Sequence, residues 1–119
     1  MPEIRMLAEE LAQKMDMELL LPEMAAQEIQ ISGCYIGDLL SNVMGNALSG
    51  QLWLTIMNNV NVVAVAQLIE LSGIVLLEGA SPVEGFLERA AQENIPVYLT
   101  KEPAFAMAVK LYEAGIAGV

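Results

Sequence analysis

Histidine is missing from the 119-residue sequence, and cysteine occurs once, as Cys34. Without histidine the chain has no Ser-His triad, no histidine general base and no cysteine–histidine zinc site. A single cysteine also excludes a disulfide within the chain. Because Cys34 has neither a CxxC partner nor a histidine to activate it, we interpret it as a small buried hydrophobic residue rather than a reactive thiol. The sequence predicts no metal and no cofactor.

Positive charge is scarce as well, with five lysines and arginines against 15 aspartates and glutamates and a formal net charge of −10. The five cations are scattered along the chain, so the sequence argues against nucleic acid as a partner. No glycine stands directly before a lysine, which excludes a P-loop and therefore a P-loop kinase or nucleotide hydrolase. Since the sequence contains no catalytic constellation, we predict that the chain is not an enzyme.

Long apolar runs are the third feature that the sequence lacks. A membrane span needs about 18 uncharged apolar residues, and the nearest run, residues 57–69, is shorter and is interrupted by asparagine and glutamine. The N-terminus carries Glu3, Glu9 and Glu10 beside Arg5, unlike a signal or transit peptide. We therefore expect no membrane association and a cytoplasmic location.

The chain is nevertheless rich in apolar residues, because 55% of it is hydrophobic and only 17% is charged. Its length predicts one domain, residues 1–119, with a single core. A small domain of this composition has more apolar surface than it can bury alone. We therefore expect a homo-oligomer, most simply a twofold homodimer.

Hydrophobic spacing predicts alternating strands and helices. The predicted strands are residues 17–21, 28–35, 52–56, 74–77 and 95–99. The predicted helices are residues 2–14, 38–44, 60–71 and 82–93, and a last helix that Pro103 opens and Gly115 closes. From Leu52 onward each strand is followed by a helix, and this βαβαβα order implies an α/β fold with parallel strands and right-handed crossovers.

Individual residues are assigned from their chemistry. Asp38 is predicted to cap the second helix, Gly73 to end the third, and Asn94 to be a left-handed cap. Gly33 suggests a bulge or a close backbone approach.

Helix 60–71 is apolar nearly all round, so we expect it to be buried on two sides or half-buried in an oligomer interface. The inner stripe of the last helix is predicted to be Phe105, Ala108, Val109 and Tyr112.

The stretch 73–82 is the point around which the predicted fold is organised. A buried strand runs into the turn Glu78-Gly79-Ala80, and Ser81-Pro82-Val83-Glu84 then has the spacing of a capping box. Open α/β sheets bind ligands at strand ends of this kind. Two interpretations stay open: the turn is purely structural, or it forms one edge of a ligand site. The residues of that predicted ligand site are Asn58, Asn59, Glu78, Gly79 and Thr100.

Four segments, residues 31–44, 53–67, 74–79 and 95–100, carry a resemblance to a known family. Over roughly residues 17–116 the chain resembles the DRTGG domain family, and it is similar to the N-terminal domain of HPr kinase/phosphorylase. The resemblance implies a three-layer α/β/α domain with a largely parallel five-stranded sheet, often dimeric and without catalysis of its own. The family occurs beside CBS domains in regulated pyrophosphatases and as small stand-alone proteins. It does not imply HPr kinase activity here, because the P-loop domain is missing.

The residues that name the family are mostly changed in this sequence. Its Asp-Arg pair falls on Asn58 and Asn59, and its Thr-Gly-Gly falls on Glu78, Gly79 and Ala80. The loss of the arginine and the gain of Glu78 weigh against an anionic ligand at this position.

Three hypotheses of function follow. The first is a non-enzymatic regulatory or scaffold module that acts as a homodimer. The second is a sensor of small, nucleotide-type molecules at the carboxyl ends of the strands, and the third is an accessory protein of a redox or hydrogenase complex.

Overall fold

The architecture follows from a computed structural model, which describes residues 3–117. The strands are β1 (Ile4–Leu7), β2 (Glu18–Leu19), β3 (Glu28–Ile31), β4 (Gly33–Ile36), β5 (Gln51–Thr55), β6 (Gly73–Leu76) and β7 (Val97–Leu99). The helices are α1 (Ala8–Met15), α2 (Leu40–Asn46), α3 (Val60–Leu68), α4 (Phe86–Gln92) and α5 (Ala104–Glu113), with a short 3-10 helix at Pro22–Met24.

The main sheet has five strands in the order β2-β7-β6-β5-β4. Strands β4 to β7 are parallel, and β2 pairs antiparallel with β7 at one edge. Successive parallel strands advance in one direction across the sheet, so right-handed crossovers bring α2, α3 and α4 to the same face. The predicted α/β fold and its parallel strand order are confirmed.

Each face of the sheet has its own core, because side chains alternate along a strand. Leu52, Leu54, Val75 and Tyr98 pack with α1 and α5 on one face. Trp53, Ile74, Leu76 and Val97 pack with α2, α3 and α4 on the other. The domain therefore has the three α/β/α layers that the family resemblance implied.

The N-terminal helix prediction is wrong in its first half. Residues 4–7 form β1, which pairs antiparallel with β3 and places Ile4 opposite Ile31. The helix begins only at Ala8, where the carboxylate of Glu10 accepts a hydrogen bond from the backbone N–H of Leu7 at 2.9 Å. A pairing partner more than twenty residues away thus overrides the local helical spacing. Pro2, the first residue of the predicted helix, lies outside the described residues.

The predicted strand 28–35 is in fact two strands in two sheets. Its first half, β3, joins β1 in a two-stranded ribbon, and its second half, β4, forms an edge of the main sheet. Gly33 begins β4 where the chain passes close to residue 117: a Cβ on Gly33 would lie 2.7 Å from the carbonyl oxygen of Ala117. The predicted close backbone approach at Gly33 is confirmed.

Three helix boundaries differ from the predictions. Helix α3 ends at Leu68, and the left-handed residue that follows is Glu70 (φ 57°), whereas Gly73 opens β6. Helix α4 begins only at Phe86, so residues 81–84 form no capping box. The residue in the N-cap position of α2 is Leu39, so Asp38 does not cap this helix. The left-handed conformation predicted at Asn94 is confirmed by its φ of 58°.

The predicted inner stripe of the last helix is also wrong. Phe105 and Tyr112 are 81% and 74% exposed, whereas Met107 and Leu111 are fully buried against the sheet. Helix α5 is apolar on both sides, and the larger side chains face outward. Periodicity locates an apolar stripe, but it does not say which of two stripes meets the sheet.

Candidate functional site

An open cleft of about 610 Å³ lies at the carboxyl ends of β6 and β7, beside the start of β2. This is the end of a parallel sheet at which α/β domains bind ligands. The cleft is lined by Asp16, Met17, Glu18, Gly79, Ser81, Leu99, Thr100, Lys101 and Glu102. Two of the five predicted site residues, Gly79 and Thr100, are therefore in its wall.

The turn after β6 is bound to the chain that follows β7. Glu78 and Gly79 both have left-handed backbones, with φ of 56° and 70°. The N–H of Glu78 donates to the carbonyl of Glu102 at 3.1 Å, and that of Gly79 donates to the carbonyl of Thr100 at 2.9 Å. These are the N–H groups that a phosphate-binding turn would have to leave free. In this protein they hold two strand ends together.

Thr100 holds the turn that follows β7 in place beside the cleft. Its side chain is buried, at 4% exposure, and its Oγ1 accepts a hydrogen bond from the backbone N–H of Glu102 at 3.1 Å. Its own N–H donates to the carbonyl of Leu76 at 3.0 Å. The Lys101–Glu102 turn is thereby fixed against the end of β6, and both of its residues line the cleft.

The two predicted asparagines have structural partners. The side-chain amide of Asn58 donates to the carbonyl of Ser81 at 2.6 Å, while the carbonyl of Asn58 accepts from the N–H of Val83 at 3.0 Å. Asn59 caps α3, because its Oδ1 accepts the N–H of Asn61 at 3.0 Å. Asn58 is thus connected to the cleft through Ser81, and Asn59 lies at the start of a helix.

The charge of the cleft comes from residues that the sequence did not indicate. Three of the lining residues, Asp16, Glu18 and Glu102, are acidic, and one, Lys101, is basic. Glu78 is exposed beside them. Asp16 and Glu18 reach the site because β2 turns back antiparallel along β7. The apolar run 17–21 predicted a strand here but not its antiparallel pairing with β7, so the sequence did not place these two residues in the cleft.

A second polar cluster stabilises the neighbouring strand ends. The Oδ1 atom of Asp38 accepts hydrogen bonds from the hydroxyl of Thr55 at 2.7 Å and from the N–H of Ile56 at 3.0 Å. Thr55 is fully buried at the end of β5. The carboxylate that was predicted to cap α2 instead joins the ends of β4 and β5, so its role is structural.

Cys34 is half-buried in β4. Burial disfavours the thiolate and raises the pKa of the Cys34 thiol from 9.0 to about 11. A thiol of this kind is protonated and weakly nucleophilic near neutral pH.

Within residues 3–117 no group of three or more histidine, cysteine or carboxylate side chains is arranged to hold a metal ion. The same part of the chain contains no helix with both the length and the apolar character needed to cross a membrane.

The structure thus defines a three-layer α/β domain with a largely parallel sheet and an open cleft at the strand carboxyl ends. No protein-family model matches the chain, and a search of curated proteins finds no match. A similar fold occurs in the crystal structure of the CBS and DRTGG domains of the regulatory region of Clostridium perfringens pyrophosphatase, in complex with its activator diadenosine tetraphosphate. The TM-score is 0.64 at 13% sequence identity, over 85% of this chain and 44% of that one. The likeness therefore concerns the fold, and it spans less than half of the pyrophosphatase fragment.

Proposed function

We propose that this chain is a regulatory module of the DRTGG type, without catalysis of its own, which senses a small polar molecule and acts as a homodimer. The observation that carries the sensing role is the open cleft at the carboxyl ends of β6 and β7. A regulatory role is supported by the fold likeness to the regulatory region of a pyrophosphatase. The cleft supplies the concave, partly polar surface that such a role requires.

The ligand we infer is neutral or positively charged. Carboxylates of Asp16, Glu18 and Glu102 outnumber the single ammonium of Lys101 in the wall. The N–H groups of Glu78 and Gly79 are already bonded to backbone carbonyls. A polyphosphate would meet repulsion from the carboxylates and receive no hydrogen bonds from this turn, whereas an amine or a hydroxyl would find acceptors. Charge thus favours amines and polyols over nucleotides.

A thermal-shift screen tests the sensing role. Amines, amino acids and polyols are compared with ATP and diadenosine tetraphosphate on wild-type protein and on two variants. Ser81→Trp fills the cleft from its wall, and Gln92→Trp adds the same bulk at an exposed position of α4 outside the lining residues. We expect stabilisation by a neutral or cationic compound that Gln92→Trp keeps and Ser81→Trp loses. A hit that Ser81→Trp retains, or no hit at all, would count against a ligand site in this cleft.

A further inference from the structure

One part of the chain is almost free of charge. Between Glu28 and Glu70 the sequence carries a single charged residue, Asp38, and its carboxylate is bonded to Thr55 and Ile56. In a chain with a net charge of −10, this segment stands apart. It includes the end of β3, the edge strand β4, its neighbour β5 and the adjacent helices α2 and α3.

Large apolar side chains are exposed on the two helices of this segment and on the residues that flank α2. We call these side chains the uncharged face: Leu39 at 66% exposure, Met44 at 46%, Leu48 at 54%, Val60 at 38% and Leu68 at 67%. Helices α2 and α3 contain no charged residue and pack side by side on the same layer. Exposed large apolar side chains gathered on two adjacent helices are typical of an interaction site.

We propose that the uncharged face is the surface on which a second copy of this chain docks, and this inference rests on the homodimer of the proposed function. Charge argues for that occupant. A basic partner would be drawn to the carboxylates, all but one of which lie outside the segment between Glu28 and Glu70. A partner that is itself strongly acidic is repelled there and can approach only where carboxylates are missing. A second copy carries the same charge of −10 and the same uncharged face, which a twofold axis would bring together.

The contact is made by helices rather than by the strand edge. The outer edge of β4 is partly occupied, because the N–H of Cys34 donates to the carbonyl of Ala117 at 2.9 Å. Pairing of β4 with its symmetry mate would have to displace that bond. On α2, in contrast, Ser41 and Gly45 are small and exposed, and a Cβ on Gly45 would meet no atom within 4 Å. The backbone of α2 is therefore accessible to a close helix contact.

This arrangement leaves the cleft open. The cleft lies beside β2 and β7, and β4 is the opposite edge of the five-stranded sheet. A dimer formed through α2 and α3 would present two independent clefts, neither of them covered by the partner copy.

Helix α5 offers the competing surface and therefore the control. Phe105 and Tyr112 are the most exposed large apolar residues in the described part of the chain. Lys110 and Glu113 lie on the same helix, so this surface carries charges of both signs. A self-association through α5 would place Lys110 and Glu113 at its rim, where they would tolerate an acidic or a basic partner equally.

The test is sedimentation equilibrium of the full chain. Met44→Glu and Leu68→Glu add a carboxylate to the uncharged face, and Phe105→Glu and Tyr112→Glu make the same change on α5. A twofold interface contains each substitution twice. We expect the wild type to be dimeric at micromolar concentration, the first pair to raise the dimer dissociation constant about tenfold or more, and the second pair to leave it unchanged.

The two claims fail separately. A wild type that stays monomeric at high micromolar concentration overturns the homodimer itself. A dimeric wild type that only the α5 variants dissociate, or that neither pair dissociates, overturns the uncharged face as the dimer interface and leaves the homodimer standing.

Should the glutamate variants fail to fold, Gly45→Cys in a Cys34→Ala background is treated with a short bis-maleimide. Cross-linking of two chains through this single exposed thiol supports the proposal, and its absence from a dimeric sample contradicts it.

Discussion

The backbone N–H of Gly79 donates to the carbonyl oxygen of Thr100 at 2.9 Å, across the ends of two neighbouring parallel strands. Because this bond and the one from Glu78 to Glu102 use the amides of the turn, the strand end is held rigidly but offers no cradle for phosphate. The polar groups left at this edge are mainly carboxylates. The preference that we infer for neutral or cationic ligands depends on this arrangement.

The charge of the cleft leads to a binding prediction with spermidine as the probe. Glu18→Gln and Glu102→Gln should each weaken spermidine binding by about 1.4- to fivefold, since an exposed charge pair contributes about 0.2–1 kcal/mol. Glu113→Gln, on the outer surface of α5, removes the same charge away from the cleft and should leave the affinity unchanged. Calorimetric titrations at low ionic strength measure all three. Equal weakening by the three variants would mean that spermidine merely responds to net charge.

Asn58 is expected to hold one wall of the cleft. Asn58→Ala removes the hydrogen bond to the Ser81 carbonyl and should lower the free energy of unfolding by about 1 kcal/mol. Asn61→Ala is the matched control, because only its backbone N–H takes part in the cap of α3. Urea denaturation of both variants gives the comparison. Equal stability of the two would show that the Asn58 amide does not stabilise this connection.

Two glycines should respond to alanine with opposite signs. Gly33→Ala places a Cβ 2.7 Å from the Ala117 carbonyl, and the backbone shift that this requires should cost about 1–3 kcal/mol. Gly45→Ala lies in α2 with free space around it and should stabilise the fold by up to about 1 kcal/mol, because alanine favours the helix. Thermal or urea unfolding tests both. Destabilisation by both substitutions would contradict the open environment of Gly45.

Stability should fall at alkaline pH through Cys34. The pKa of its thiol is raised from 9.0 to about 11 by burial, so the unfolded chain loses this proton first. The protonated thiol makes its full contribution to the free energy of unfolding below pH 9. This contribution is lost as the pH rises towards 11, and the free energy of unfolding falls by at most about 1.4 kcal/mol per pH unit. Burial also raises the pKa of Tyr98, but that residue is common to wild type and Cys34→Ala and cancels in their comparison. Urea unfolding from pH 8 upward gives the free energy of unfolding of wild type and Cys34→Ala as a function of pH. We expect these two pH curves to converge or cross above pH 9, and parallel curves would contradict the burial of the thiol.

Much of the fold was predictable from the sequence, because the second half of the chain follows local rules. Each strand from Leu52 onward is apolar, short and followed by a helix, and parallel pairing follows from that order. The first forty residues do not obey such rules, since β1 forms through a pairing with β3 that spacing cannot reveal. The orientation of α5 was missed for a related reason, because both Phe105 and Met107 lie on apolar stripes and only the sheet decides between them.

The candidate site was predictable in part. Gly79 and Thr100 were placed at the strand ends by the order of the elements, and the structure has both in the cleft wall. Asp16 follows the end of α1 and Glu18 begins β2, and the predicted strand 17–21 did not reveal that β2 pairs antiparallel with β7 beside the cleft. As a result, the sequence placed Gly79 and Thr100 at the candidate cleft and the acidic Glu78 beside it, but it did not bring in Asp16, Glu18 or Glu102.

The proposed sensing role is tested most directly by mapping where a stabilising compound binds. Two-dimensional amide NMR spectra of the wild-type chain are recorded during titration with a hit from the thermal-shift screen. We expect the largest shifts on the amides of Gly79, Ser81, Lys101 and Glu102, while the amides of α2 and α3 stay unmoved. Shifts that cluster on another surface, or a hit that perturbs none of the cleft amides, would contradict a sensor site at the ends of β6 and β7.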